Sequence, residues 1–309
     1  MGRRGAPTGI SGILPVDKPA GMTSHDVVSV IRHVTGERRA GHAGTLDPAA
    51  TGLLLALVGP STRLAPYLIA ADKTYLADVV FGTATTTDDA QGEPVRTAMV
   101  PDDLAVHEYA RHVVATLIGT HNQMPPDFSA IKQGGVKAYE AARSGAPLVL
   151  TPRSVVISAA RLVSLDCGPP VTWRIAVTVS KGTYIRAVAR DLGEAQGTAA
   201  HLGALRRTAA GNVNLDSANR LDAVREAGFS IARLFADPIQ ALGLPVVTVD
   251  PHTASLVETG SPLTGVAHAG PRIAVTTASR LLAIHEWDHS LHGYRPSVVL
   301  PGGVARCGS

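Results

Sequence analysis

Aromatic residues make up only 4% of this 309-residue chain, and cysteine occurs just twice, at Cys167 and Cys307. Two cysteines cannot build a disulfide framework, and nothing beside either resembles a metal-ligand pair. A small disulfide-stapled scaffold is excluded, and a reducing, intracellular compartment is expected. No uninterrupted apolar run approaches the roughly 20 residues that span a bilayer. The first residues, Met1 to Pro7, carry charge with no apolar stretch behind them. That excludes a signal peptide and leaves a frayed start over about residues 1–10. Nucleotide-binding glycine loops and convincing metal clusters are also missing, so neither a cofactor nor a metal is expected. The chain is expected to be soluble, cytoplasmic and free of the membrane.

What is present allows a sizeable core. Hydrophobic residues are 45% of the chain, and with few aromatics Leu, Val and Ala must fill the interior. The length suits one large domain plus a small one. The formal net charge of +3 is unevenly spread: +3 over residues 1–70, −5 over 71–120, +5 over 121–240 and zero over 241–309. A basic middle beside an acidic block suits a polyanion such as RNA, although ordinary surface solubility accounts for it equally well.

Periodicity sketches an α+β chain. Gly12–Val16 reads as a short strand. Thr23 or Ser24 can cap a helix through Val27, Ile31 and Val34, closed by Gly36. Leu53–Val58 reads as a buried strand. Tyr75, Ala77, Val79 and Phe81 alternate as a strand does, and Leu104, Tyr109, Val113 and Leu117 suggest an amphipathic helix. Residues 121–152, with Pro125-Pro126, Gly134-Gly135 and Gly145-Ala146-Pro147, break the regularity and read as an inserted loop carrying Lys132 and Lys137. Only Val136–Arg143 looks helical there. Strands are expected over Val155–Leu165 and Val171–Val179, and a helix from Thr183 to about Gln196. From about Pro238–Pro245 onward, strands and turns dominate.

Four segments carry chemistry. The string Gly41-His42-Ala43-Gly44-Thr45-Leu46-Asp47-Pro48-Ala49-Ala50-Thr51-Gly52 sets one carboxylate among glycines and a proline. Glycine permits close backbone approaches, and Pro48 fixes where the loop ends, so Asp47 can be presented to a large ligand with His42 beside it. Lys73-Thr74-Tyr75 puts a tyrosine at the head of a strand. Its ring can stack on a nucleobase, worth roughly 1–3 kcal/mol per base, or simply pack across the sheet. Ser180-Lys181-Gly182-Thr183-Tyr184-Ile185-Arg186 forms a strand-to-helix corner. An arginine in a first helical turn is electrostatically out of place unless a carboxylate answers it, and Asp47 is the candidate; a surface arginine is the competing account. His201 to Thr208 joins Leu205 to Arg206 and Arg207, which suits a pocket wall and phosphate neutralisation, or else a short edge strand with solvated arginines.

In this order the segments closely resemble the TruB family of tRNA pseudouridine synthases. Asp17-Lys18-Pro19-x-Gly21-Met22-Thr23-Ser24 and Pro125-Pro126-x-Phe128-Ser129-Ala130-Ile131-Lys132 add to the resemblance, which covers about residues 10–235. It implies a mixed, largely antiparallel central sheet flanked by helices over residues 11–238. Residues 121–152 would form a thumb clamping the T arm of tRNA, and 245–309 a small PUA-like β domain. By position it implies a catalytic role for Asp47, base stacking by Tyr75 and an ion pair to Asp47 from Arg186. His42, Tyr184, Leu205, Lys18, Lys132, Arg206 and Arg207 would bind the substrate. The implied reaction converts uridine 55 of the T loop to pseudouridine by base flipping, with no cofactor and no guide RNA, in a monomer. Attack on the pyrimidine ring, attack on the sugar C1′ and a glycal-like route all remain open, as does the choice of Tyr75 or Asp47 as base at C5.

Two other classes compete. His285-Glu286-Trp287-Asp288-His289 satisfies the H-E-x-x-H zinc hydrolase pattern. Yet the preceding Leu281-Leu282-Ala283-Ile284 reads as a strand, on which these histidines stand too far apart for one ion. A non-catalytic RNA-binding protein of the same fold is the other. The C-terminal segment has few basic residues (Arg272, Arg280, Arg295, Arg306), balanced by acids, which argues against a strong grip on RNA there.

Overall fold

A computed structural model describes residues 8–129, 131–144, 146 and 148–306. The chain forms two compact units, Met1–Ala71 with Ala209–Ser309, and Asp72–Thr208. The architecture is α+β, with largely antiparallel strands flanked by helices, as expected.

In the first unit the strand Gly12–Lys18 runs antiparallel to Thr51–Val58, from the pair Gly12 and Val58 to the pair Lys18 and Gly52. The second of these strands is almost continuously apolar and buried on both faces, as a strand covered on both sides must be. A short strand, Ala40–His42, pairs antiparallel with it. Val16 and Asp17 pair in parallel with Asn219 and Arg220, which makes the arrangement mixed. The helix Ser24–Thr35 starts where expected. Thr23 Oγ1 accepts from the Asp26 amide at 3.0 Å, and the Asp26 carboxylate accepts from the Thr23 amide at 2.8 Å, a reciprocal capping box. Gly36 ends the helix at φ 64°. The expected frayed start falls largely on residues 1–7, outside the described residues. Thr8 is already tied down, its amide and hydroxyl donating to the Glu37 carboxylate at 3.3 and 3.1 Å.

The C-terminal part of this unit is the expected β-rich, PUA-like module. It is a five-stranded sheet ordered Val246–Thr248, Arg272–Thr276, Arg280–Asp288, Gly293–Ala305 and Leu263–Thr264. Its faces are apolar on both sides. Leu281, Ile284, Leu300 and Val304 share one core with Leu53, Leu55 and Leu57. Leu282, Ile273, Val257 and Tyr294 form a second.

The second unit is built on antiparallel pairs. Lys73–Phe81 pairs with Thr172–Val179, matching Tyr75 with Val177. That strand pairs with Arg153–Asp166, whose start pairs with Gly119–Gln123. Ala200–Ala210 borders Lys73–Phe81 on its other side. The Thr208 hydroxyl donates to the Thr74 carbonyl at 3.3 Å. The competing account of a short edge strand therefore fails, since the strand is long and interior. The insertion sits between two paired strands and contains a small hairpin, Lys132–Gln133 with Val136–Lys137, and the helix Ala138–Arg143. The helix expected through Leu104 and Leu117 is also corrected. A 3-10 turn, Asp102–Ala105, precedes a shorter helix, His107–Ala115, that buries Ala110, Val113 and Val114. Leu104 is buried from the turn, and its carbonyl accepts from the Trp173 indole at 2.8 Å. Among the described residues, no helix is long and apolar enough to cross a membrane.

Candidate active site

The glycine-rich loop holds Asp47 by clamping the residues on either side of it. The Ser24 hydroxyl, buried, accepts from the Leu46 amide at 2.8 Å and donates to the Leu46 carbonyl at 3.0 Å. On the far side the Pro48 carbonyl accepts from the Gly21 amide at 2.9 Å and from Lys18 Nζ at 3.2 Å. The Asp47 carbonyl accepts from the Ala50 amide at 3.1 Å, closing the turn. Gly44 and Gly52 stand at φ 109° and 98°, backbone that L side chains rarely adopt. Leu46 and Ala50 are buried, and half-buried Asp47 lies between them. His42 is also half-buried, at the end of the strand Ala40–His42.

Lys18 ends the strand Gly12–Lys18. It is fully buried, and its ammonium donates to the carbonyls of Pro19 at 2.8 Å, Met22 at 2.7 Å and Pro48 at 3.2 Å. Burying a cation is costly unless its donors are satisfied, and here three carbonyls satisfy them, one of them in the Asp47 loop. Lys18 thus holds the backbone that presents Asp47.

The second unit carries the remaining candidates. Tyr75 lies on the inward face of Lys73–Phe81 and is 9% exposed. Tyr184 caps the helix Ile185–Ala195 in extended backbone, and Arg186 follows in its first turn. The Arg153 guanidinium lies 4.8 Å from the centre of the Tyr184 ring, within cation–π range. Arg186 is 5% exposed, so the surface-arginine account fails. Its Nη1 donates to the Thr87 carbonyl at 3.0 Å and its Nη2 to the Phe128 carbonyl at 2.9 Å. The Asp89 carboxylate stands 3.7 Å from its Nε. Leu205 and Arg206 are half-buried on Ala200–Ala210. Arg207 is only 1% exposed, so the account of solvated arginines fails for it. Its charge acts on a buried neighbour: burial first, and Arg207 second, push the Lys73 ammonium down to about 8. The Lys132 side chain lies outside the described residues.

Sequence reasoning missed the residues that hold Arg186. Asp89 accepts from the Thr87 hydroxyl at 2.5 Å and from the Gln91 amide at 3.0 Å, so the 87–91 turn is folded around its carboxylate. The run Thr85-Thr86-Thr87-Asp88-Asp89 was the available signal, since Thr and Asp favour such turns. The H-E-x-x-H pattern begins on the strand Arg280–Asp288 and ends at His289 in the turn beyond it, with His285 fully buried and its Nε2 3.2 Å from the Ser261 carbonyl. Among the described residues no group of three or more His, Cys, Asp or Glu side chains could hold a metal ion.

The first unit thus holds a carboxylate on a clamped loop, and the second a buried tyrosine at a strand head and a buried arginine opening a helix. The TruB family pseudouridylate synthase N-terminal domain matches residues 32–185. The tRNA pseudouridine synthase B of Thermobifida fusca is 42% identical over 282 residues, covering 89% of this chain and 94% of that protein. The tRNA pseudouridine synthase B of Nocardia farcinica is 41% identical over 293 residues, covering 93% and 94%. The chain belongs to the TruB family and is a pseudouridine synthase. The crystal structure of a Cbf5–Nop10–Gar1 complex shares the fold, with a TM-score of 0.69 at 23% identity, covering 94% of this chain and 83% of that one.

Proposed function

We propose that this enzyme isomerises uridine 55 in the T loop of tRNA to pseudouridine, acting alone in the cytoplasm as a monomer without cofactor, metal or guide RNA. The observation that carries the reading is the likeness to enzymes named tRNA pseudouridine synthase B over about nine-tenths of the chain. The local structure supports it, because the residue that the family resemblance makes catalytic is the one the loop clamps from both sides.

The reaction breaks the N1–C1′ bond, turns the base and joins C5 to C1′. A proton leaves C5 and N1 gains one, so no redox partner or group donor enters the balance. What the chemistry requires is a carboxylate that attacks, stabilises charge or, on the glycal-like route, takes the C2′ proton and later returns it, and Asp47 is assigned that part. Arg186 is assigned as its ion-pair partner, holding the carboxylate in one orientation. Flipping the uridine out of its stack costs a few kcal/mol, and the Tyr75 ring offsets part of that. His42, Tyr184, Leu205 and Arg206 contact the flipped nucleotide and its phosphates, and the insertion with Lys132 closes on the T arm. Residues 11–238 act as the catalytic domain, and 245–309 as a PUA-like accessory.

The test is tritium release from a tRNA transcript labelled at C5 of uridine, in excess EDTA. Wild type is expected to release one tritium per tRNA. Asp47→Asn, which keeps the shape and removes the charge, is expected to release none while still binding tRNA. Release by wild type only when metal is added, or turnover by Asp47→Asn within tenfold of wild type, contradicts the reading.

A further inference from the structure

The helix Ile185–Ala195 carries two arginines one turn apart, Arg186 and Arg190. Each fastens one carbonyl of the insertion and one group of the 87–89 loop. Arg186 takes the Phe128 and Thr87 carbonyls, at 2.9 and 3.0 Å. Arg190 takes the Met124 carbonyl at 2.8 Å through Nη2 and the Asp88 carboxylate at 2.7 Å through Nη1. Its Nε also donates to the Asp191 carboxylate at 2.9 Å. Gln123 adds a third tie just ahead of the helix. Its side-chain amide donates to the Tyr184 carbonyl at 3.1 Å and accepts from the Tyr184 amide at 2.9 Å. The first residues of the insertion are therefore stapled to the helix that bears Arg186.

The 87–89 loop is held in an unusual state. Asp88 has φ 59°, the left-handed region that residues with a Cβ seldom enter and that persists only where surroundings impose it. The Asp88 carbonyl accepts from the Leu202 amide at 3.0 Å, and its carboxylate is bound by Arg190. Burial pushes the Asp88 and Asp191 carboxyls upward, and the Arg190 charge opposes that rise for both.

We propose that Arg190 is a positioning residue for the isomerisation: its grip on Asp88, Asp191 and Met124 fixes the insertion root and the 87–89 loop, and through them the Arg186 guanidinium. The proposal rests on the function given above. Only a planar fork reaches all these acceptors at once; a lysine ammonium keeps the charge but cannot span them.

The experiment uses the full-length chain with Arg190→Lys, and Asp88→Asn as a milder second variant that keeps an oxygen acceptor. Trypsin cleavage within residues 124–152 is expected to accelerate at least fivefold in Arg190→Lys, with a melting temperature within a few degrees of wild type. The single-turnover rate at saturating tRNA is expected to fall at least tenfold while tRNA affinity stays within threefold, and Asp88→Asn to lie between. On an Arg186→Lys background, Arg190→Lys is expected to cost less than threefold more, because the group it positions is already spoiled. Unchanged cleavage overturns the inference whether or not the enzyme turns over. Full additivity with Arg186→Lys, or a rate loss that only follows melting, overturns it too. Wild type inactive in the same assay would instead count against the proposed function.

Discussion

Asp47 and Arg186 are held by opposite means. Asp47 sits between Leu46 and Pro48, whose backbone groups are gripped by Ser24, Gly21 and Lys18, partners at most 30 residues away in sequence. Arg186 is held through its own side chain, by carbonyls 58 and 99 residues away and by a carboxylate. The first is positioning by backbone, which tolerates a change of side chain at the held residue. The second is positioning by guanidinium geometry, which does not. The difference suits the roles proposed: a reacting carboxylate is placed by its backbone, whereas an arginine that steadies it must itself be fixed through its guanidinium.

The sharpest way to break this comparison is Arg186→Lys. If geometry holds the residue, keeping the charge is not enough. The single-turnover rate at saturating tRNA is expected to drop at least tenfold, about 1.4 kcal/mol of barrier, with affinity and its salt dependence close to wild type. If Arg186 instead meets a phosphate, lysine will substitute well, and only Arg186→Ala will weaken binding and flatten the salt slope by about one unit. Normal chemistry in Arg186→Lys would remove the distinction drawn here.

The same contrast explains what was legible in the sequence. The Asp47 loop could be read because its conformation is written in glycine and proline, and its partners lie in the adjacent Asp17–Ser24 motif. The helix Ser24–Thr35 and the alternating strand Lys73–Phe81 were legible for similar reasons of local periodicity. Arg190, Asp89 and Gln123 were not, because their partners come together only once distant strands have paired. The burial of Lys18 and Arg207 was not legible either, since sequence does not show that carbonyls await the one and an interior strand carries the other. The Leu104–Leu117 spacing misled because only Tyr109 and Val113 of that set lie in the helix His107–Ala115, while Leu104 is buried from a separate 3-10 turn.

Ser24→Ala tests the backbone side of the comparison, with a smaller effect. It removes one hydroxyl and leaves a buried amide and carbonyl at Leu46 unanswered, at a cost of about 1–3 kcal/mol. A melting temperature lowered by several degrees is expected, with a rate loss of only about threefold because Gly21 and Lys18 still hold Pro48. Unchanged melting would mean that the loop does not depend on this clamp.

The smallest expected effect concerns Lys73, the buried cation beside Arg207. Burial, helped by Arg207 and Lys181 and opposed by Asp72, lowers its ammonium from 10.5 to about 8. An unfolded chain holds that proton up to the ordinary value, so between about pH 8 and 10.5 the unfolded state binds more protons than the folded one. The Lys73 contribution to stability therefore improves as pH rises through this window, and below about 8 the folded state bears the whole cost of the buried charge. In Lys73→Met the cost is absent at every pH. The difference in unfolding free energy between variant and wild type, followed by denaturant titration, is thus expected to shift steadily in favour of wild type from pH 8 to 10.5, by at most about 3 kcal/mol. A difference that stays flat across that window would show that Lys73 keeps an ordinary affinity for its proton, and that Arg207 is tolerated beside it for another reason.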